Sequence, residues 1–174
     1  MLFTQIRQPE SNYLAVPEVS SQNRRYIPIS FLTPDIIASN KLYLVPNADT
    51  YMFGIMISNV HMAWMRVVCG RLKSDYSYSP AVYNNFPWPT PTDAQKAKIE
   101  QTAQAILDAR ALYPDCSLAD LYDEVTMPPE LRTAHQQNDK AVMAAYGMKV
   151  KETTEASCVA ELMRRYQELT PSSK

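Results

Sequence analysis

The chain has 174 residues, a formal net charge of -1 and a hydrophobic fraction of 46%. That length suits one ordinary domain, or a domain with a helical appendage, and that apolar content excludes a disordered chain. The near-neutral charge excludes a strongly basic domain that grips nucleic acid unaided, because duplex affinity comes largely from neutralising phosphates.

From Leu2 to about Val45 the pattern predicts short strands and turns. Residues Leu2 to Arg7 alternate, and Tyr26–Leu32 and Lys41–Val45 are aromatic and β-branched runs bounded by Pro, Asn and Asp. Pro28 inside the first run implies an edge or bulged strand. Thr33-Pro34-Asp35 reads as a helix or turn start. Arg24 and Arg25 precede a strand and should be exposed, either as solvated charges or as phosphate contacts.

Tyr51 to Val68 has the helical period instead. Met52, Ile55, Met56, Val60, Ala63, Trp64 and Val67 form one stripe, so a single helix should lie on the strands, closed by Gly70. Ser58, Asn59, His61 and Arg66 interrupt this most apolar stretch, which therefore does not read as a membrane span. His61 has no Cys, Asp or Glu at ligand spacing, so no metal site is expected. The start M-L-F-T-Q-I-R lacks a signal peptide's basic head and apolar centre, and Cys69, Cys116 and Cys158 are odd in number and far apart. Both features lead to the expectation of a soluble cytoplasmic protein in a reducing compartment, with no membrane attachment.

Cys69 to Pro89, C-G-R-L-K-S-D-Y-S-Y-S-P-A-V-Y-N-N-F-P-W-P, has almost no helical period and is dense in donors and acceptors. Lys73 and Asp75 are two apart, so on an extended backbone their side chains leave from one face. Such a couple can address one G·C pair, Lys donating to guanine O6/N7 and Asp accepting from cytosine N4. An exposed ion pair with no target has the same residues.

The prolines of Phe86–Pro91 predict an extended connector, and everything beyond reads as helical. Thr92 or Asp93 caps a helix to about Leu112, with Ile99, Ala103, Ile106 and Leu107 inward. Ser117–Tyr122 is a short helix, Pro128-Pro129 opens a third to Tyr146-Gly147, and Glu152–Leu169 is a fourth with Val159, Leu162, Met163 and Tyr166 inward. The expected class is α+β: an N-terminal mixed sheet with a packed helix, then an all-helical C-terminal part. Residues 1–88 carry seven Lys/Arg against five acids and the remainder ten against thirteen, so the first part is the better nucleic-acid candidate.

Several chemistries lack their residues. Three glycines, Gly54, Gly70 and Gly147, cannot build a glycine-rich cofactor loop, and no glutamate is followed two positions on by Lys as a metal-dependent nuclease would want. There is no Cys-x-x-Cys and no phosphate loop.

The run G-R-L-K-S-D-Y-S-Y-S followed by V-Y-N-N-F-P-W-P resembles the target-recognition region of MmeI-like, type IIG (IIL) restriction-modification DNA methyltransferases. R-Y-I-P-I-S-F-L-T-P-D-I-I-A-S-N-K-L and F-G-I-M-I-S-N-V-H-M-A-W-M-R upstream, and A-I-L-D-A-R-A, S-L-A-D-L-Y-D and T-M-P-P-E-L downstream, fit the same family in the same order. The resemblance spans about Ser11 to Gln167. It implies a target-recognition region over residues 1–89, incomplete at its N-terminal side, and a helical C-terminal domain over 90–174. The implied function is sequence-specific recognition of double-stranded DNA as the specificity portion of a DNA (adenine-N6) methyltransferase. Catalysis is not expected of this chain: the family's Asn/Asp-Pro-Pro-aromatic motif is absent, the one Pro-Pro being Met127-Pro128-Pro129-Glu130. S-adenosylmethionine, and Mg for cleavage, are expected only in the complete enzyme, whose methyltransferase domain is the implied protein partner.

The family's base-reading positions vary in correlated pairs. Lys73 and Asp75 resemble one pair, and Lys41 and Ser77 a second, in which Ser77 departs from the arginine often found there. Lys41 alone could instead be a strand-edge charge that blocks aggregation. Arg24, Arg25, Arg71, Ser79 and Asn84 are the candidates for backbone contact. Asn84 and Asn85 either pair an adenine or hold a turn while Phe86 and Trp88 dock on the core. A reading from another class is a non-catalytic protein-interaction module that docks through its helical half.

Overall fold

The computed structural model describes residues 8–170. The alternation read over Leu2 to Arg7 lies outside them. β1 (Tyr13–Pro17) runs antiparallel between β3 (Ser30–Leu32) and β4 (Leu42–Pro46), with Leu14 opposite Phe31 on one side and Val45 on the other. The period of two sorts its side chains: Leu14 and Val16 enter the main core, whereas Tyr13 and Ala15 are buried away from it. Tyr13 meets the connection 33–41, whose Ile36 carbonyl accepts from its hydroxyl at 2.5 Å. Thr33-Pro34-Asp35 is a turn, closed by Ile36 N–H to Thr33 O at 3.0 Å. Tyr26, Ile27 and Ile29 are buried, but only Ser30–Leu32 pairs as strand. Pro28 supplies no N–H to a ladder, and the Ile29 N–H turns back to Ile27 O at 2.9 Å.

The strands do not form one mixed sheet. They form two small antiparallel sheets, the second built from β2 (Val19–Ser20), β6 (Asp75–Ser77) and β5 (Gly70–Leu72) in that order. Glu18 is the joint: its N–H donates to Lys41 O at 2.9 Å and its carbonyl accepts from Tyr78 N–H at 2.7 Å. One bent strand thus serves both sheets.

The apolar stripe of residues 51–68 belongs to two helices, α1 (Thr50–Met56) and α2 (Asn59–Val68), rather than one. The break falls at Ser58, whose Oγ accepts from His61 N–H at 3.3 Å and donates to Ile55 O at 2.7 Å. A buried serine with such local partners favours a new N-cap over continued helix. The break changes which face is inward: Met62 and Met65 are buried, and Val67, expected on the stripe, is 55% exposed. Gly70 does not close the helix. Cys69 already leaves it with ψ 144, and Gly70 opens β5.

Short α3 (Pro80–Asn84) was hidden within the polar stretch, and proline at its first turn starts it. Capping boxes begin α4 (Asp93–Ala111) at Thr92, α5 (Leu118–Leu121) at Ser117 and α7 (Glu155–Leu169) at Thr154, so that α7 starts at Glu155 and not at the expected Glu152. α6 (Pro129–Ala145) starts behind Pro128. α4 packs on α6 and on α1, while α7 packs on α2. Gly54 of α1 lies against this pair so closely that a Cβ would meet Ile99 Cγ2 at 2.8 Å and Ala103 Cβ at 3.0 Å. Its carbonyl accepts from Asn138 Nδ2 at 2.7 Å. Phe86 and Trp88 dock as expected: Phe86 is buried edge-on to Trp64, His61 and Trp88, and Tyr146 Oη donates to Pro87 O at 2.9 Å. One continuous core therefore runs from the sheets into the helices.

Candidate nucleic-acid interface

Lys73 and Ser74 are the two turn residues of a hairpin, with Leu72 opposite Asp75 and Arg71 opposite Tyr76. Lys73 is therefore at the tip and not on extended backbone; its φ is 57, in the left-handed region that costs a side-chain-bearing residue energy. The same-face argument from i, i+2 spacing does not apply to it. It applies instead to Asp75 and Ser77, both half-buried on one face of β6 while Tyr76 between them turns inward. Leu72, Gly70 and Val19 lie directly across from these residues, and Leu72 and Val19 are exposed.

Arg71 braces the hairpin from the other face. Its guanidinium stacks 4.0 Å above the Tyr76 ring, and Nη1 donates to Ser74 O at 3.1 Å. Lys73 is exposed and forms no ion pair with Asp75. Asp75 Oδ1 instead accepts from the Gln22 N–H at 3.3 Å, which brings the Ser21–Arg25 loop beside the hairpin. Arg24 is half-buried there, and Arg25 is exposed with its guanidinium 5.8 Å from the Tyr26 ring.

Lys41 and Ser77 flank the Glu18 joint, Lys41 through its carbonyl and Ser77 as the partner of Val19. Lys41 Nζ is 3.3 Å from Glu18 Oε2, with the lysine side chain 75% exposed. Such a pair holds little energy and leaves the ammonium free to exchange partners. Ser79 precedes α3 without a capping hydrogen bond from its side chain, and exposed Asn84 ends that helix. Asn84 lines a cleft with Tyr43, Tyr78 and Tyr83, apart from the hairpin tip.

The two histidines are interior. His61 Nε2 lies 3.1 Å from Tyr78 Oη, and burial lowers its pKa to about 4. His135 stacks on Tyr26 with ring centroids 4.0 Å apart and meets Tyr122 Oη at 2.7 Å; burial, then the charges of Arg110 and Arg25, hold it well below the usual histidine range. Among the described residues no three His, Cys, Asp or Glu side chains cluster as metal ligands. Asp139, buried on α6, accepts from Tyr26 Oη at 2.7 Å and Asn59 N–H at 2.8 Å, and burial raises its carboxyl to about 6. Neither Gln22 nor Asp139 carries a signal in the sequence: Gln22 acts through its backbone, and Asp139 has the local pattern of a surface acid on a polar helix.

Residues 1–90 match the family model described as MmeI, target recognition domain, and residues 91–173 match MmeI, C-terminal domain. The chain belongs to the MmeI family. Among curated proteins, DNA methyltransferase A of Bacillus subtilis (strain 168) is 43% identical over 162 residues, which is 92% of this chain and 18% of that protein. Among solved structures, the type IIL restriction-modification enzyme MmeI in complex with DNA is 49% identical, with a TM-score of 0.90 over 95% of this chain and 22% of that one. The chain thus spans about a fifth of the length of these two relatives. No helix among the described residues is long and apolar enough to cross a membrane.

Proposed function

We propose that this chain is the sequence-reading portion of a restriction-modification DNA (adenine-N6) methyltransferase. In this reading, residues 1–89 contact double-stranded DNA and the helices of 90–174 brace them. The observation that carries it is a hairpin tip that presents a cation and a carboxylate unpaired with each other, in a chain that matches a target recognition domain. Lys73 donates to guanine and Asp75 accepts from cytosine N4; Lys41 and Ser77 share a second base pair across the Glu18 joint. Arg24, Arg25, the outward N–H groups of Arg71, Ser79 and Asn84 contact the phosphate backbone, which fixes register without reading sequence. Methyl transfer, S-adenosylmethionine and any Mg-dependent cleavage belong to a methyltransferase portion outside this chain, and the assembly works in the cytoplasm. With a net charge of -1, most of the phosphate grip comes from that remainder too.

The test is a panel of duplexes, each altered at one base pair, methylated by the assembled enzyme. Lys73→Ala and Lys41→Ala should each lose discrimination at one pair, by about tenfold or more, because a good base contact is worth about 1–3 kcal/mol. An equal loss on every duplex would reduce both lysines to general electrostatic contacts and would overturn the base-reading assignment.

A further inference from the structure

The Asp75 carboxylate is held from 53 residues away. Gln22 N–H donates to Oδ1 at 3.3 Å, while Oδ2 accepts no hydrogen bond from the described residues. Gln22 is the second residue of a tight turn, closed by Arg24 N–H to Ser21 O at 3.2 Å and by Asn23 N–H to Ser21 Oγ at 3.3 Å. The turn leaves β2 immediately after Ser20, which pairs with Tyr76, so the Gln22 N–H arrives beside Asp75, the residue of β6 before Tyr76. An aspartate at the end of a hairpin strand otherwise turns about two side-chain torsions and offers its oxygens in several directions. Fixing one oxygen makes the other a single acceptor with a defined aim, and such fixing is what a specific contact requires.

We propose that the Ser21–Arg24 turn is a positioning element for base reading: the Gln22 N–H pins Asp75 Oδ1 so that Oδ2 is the acceptor offered to a cytosine amino group. This rests on the base-reading role given to Asp75 above. The Gln22 side chain takes no part, so the contact depends on the backbone and tolerates any residue that keeps an N–H.

The discriminating variant is Gln22→Pro. Proline suits the second position of a turn that follows an extended residue, so it removes the donor and keeps the bend. In the assembled enzyme, methylation is measured on duplexes altered at the pair assigned to Asp75 and on duplexes altered at the pair assigned to Lys41. Gln22→Pro should lower discrimination at the Asp75 pair about threefold to tenfold, the range of one hydrogen bond, and leave the Lys41 pair unchanged. Gln22→Ala should change neither. Equal losses at both pairs, a matching loss in Gln22→Ala, or an unaffected Gln22→Pro where Asp75→Ala has lost discrimination would each overturn the proposal. Should discrimination survive Asp75→Ala itself, the base-reading role fails and takes this inference with it.

Asp75→Asn supplies an answer even where Gln22→Pro folds badly. The Gln22 N–H still demands an oxygen, so the amide NH2 of the variant faces the base, and the preference for cytosine is lost in favour of a base with an acceptor. A variant that keeps the cytosine preference has turned its own oxygen outward, which a pinned side chain could not do.

Discussion

The hairpin edge and the sheet-to-helix junction divide the polar residues of this chain into two kinds. At the edge, Lys73, Asp75, Lys41, Ser77 and Arg24 are exposed or half-buried, and their partners are few: one backbone N–H for Asp75 and one half-buried carboxylate for Lys41. At the junction, Asp139 accepts from Tyr26 and Asn59, and Asn138 is held between Gly54 O and the Thr102 hydroxyl, which donates to it at 3.0 Å. Removing a member of the junction set strands buried partners, whereas removing a member of the edge set exposes groups already in contact with water. The difference teaches that side chains at the edge can be exchanged with little cost to folding, and that the helical part is the platform that makes this possible.

The junction should break first. Trp64→Ala removes a side chain 2% exposed and its Nε1–H bond to Val82 O at 3.0 Å, and should cost about 3–5 kcal/mol in urea unfolding. A loss below about 1 kcal/mol would show that α2 is not central. Gly54→Ala places a Cβ against Ile99, Ala103 and Asn138 Oδ1 and should cost about 1–3 kcal/mol. An unchanged denaturation midpoint would mean that α1 can back away from α4 and α6.

Acid sharpens the comparison within the junction. The folded pKa of His61, about 4, lies below its unfolded value near 6.5, so the unfolded chain binds the extra proton and stability falls as pH drops through that window. His135 acts in the same direction. Asp139 acts oppositely: with a folded value of about 6, above its unfolded 3.8, its protonation favours the fold as pH falls through about 6 toward 4. Asp139→Asn should therefore lose more stability than the parent between pH 7 and pH 5, read as the shift of the urea midpoint. Parallel pH profiles would remove Asp139 from this balance.

Edge variants should be milder. Lys73→Gly relieves the left-handed φ of 57 and should raise stability by about 1 kcal/mol while removing the contact proposed for the lysine. A destabilised variant would imply that the lysine side chain contributes packing at the tip. Lys41→Ala should leave stability within about 0.5 kcal/mol of the parent, since the lysine of its ion pair with Glu18 is 75% exposed.

Much of this organisation is legible from local chemistry. Thr92 and Ser117 announce their helices through reciprocal caps, Pro129 starts α6, and the prolines after Phe86 end one regime and begin another. The α+β division follows from those signals. What local pattern does not carry is pairing: periodicity tells which face of a strand is apolar, not which strand lies beside it. The joint at Glu18, which splits one expected sheet into two, depends on partners at Lys41 and Tyr78. The break at Ser58 was masked because serine and asparagine inside an apolar stripe pass for tolerated interruptions until the cap bonds are seen. At the site, the spacing of Lys73 and Asp75 could not reveal that a two-residue turn lies between strands, nor that Gln22, far away in sequence, meets Asp75.

The most direct test of the central claim is to exchange the chemistry of the hairpin tip in the assembled enzyme, Lys73→Glu together with Asp75→Arg, and to determine which sequence is methylated. A base-reading edge on an intact platform predicts sustained methylation at a site changed at one base pair, with guanine and cytosine preferences reversed. Methylation of the original site at the parental rate, or loss of methylation with no new site, would contradict it.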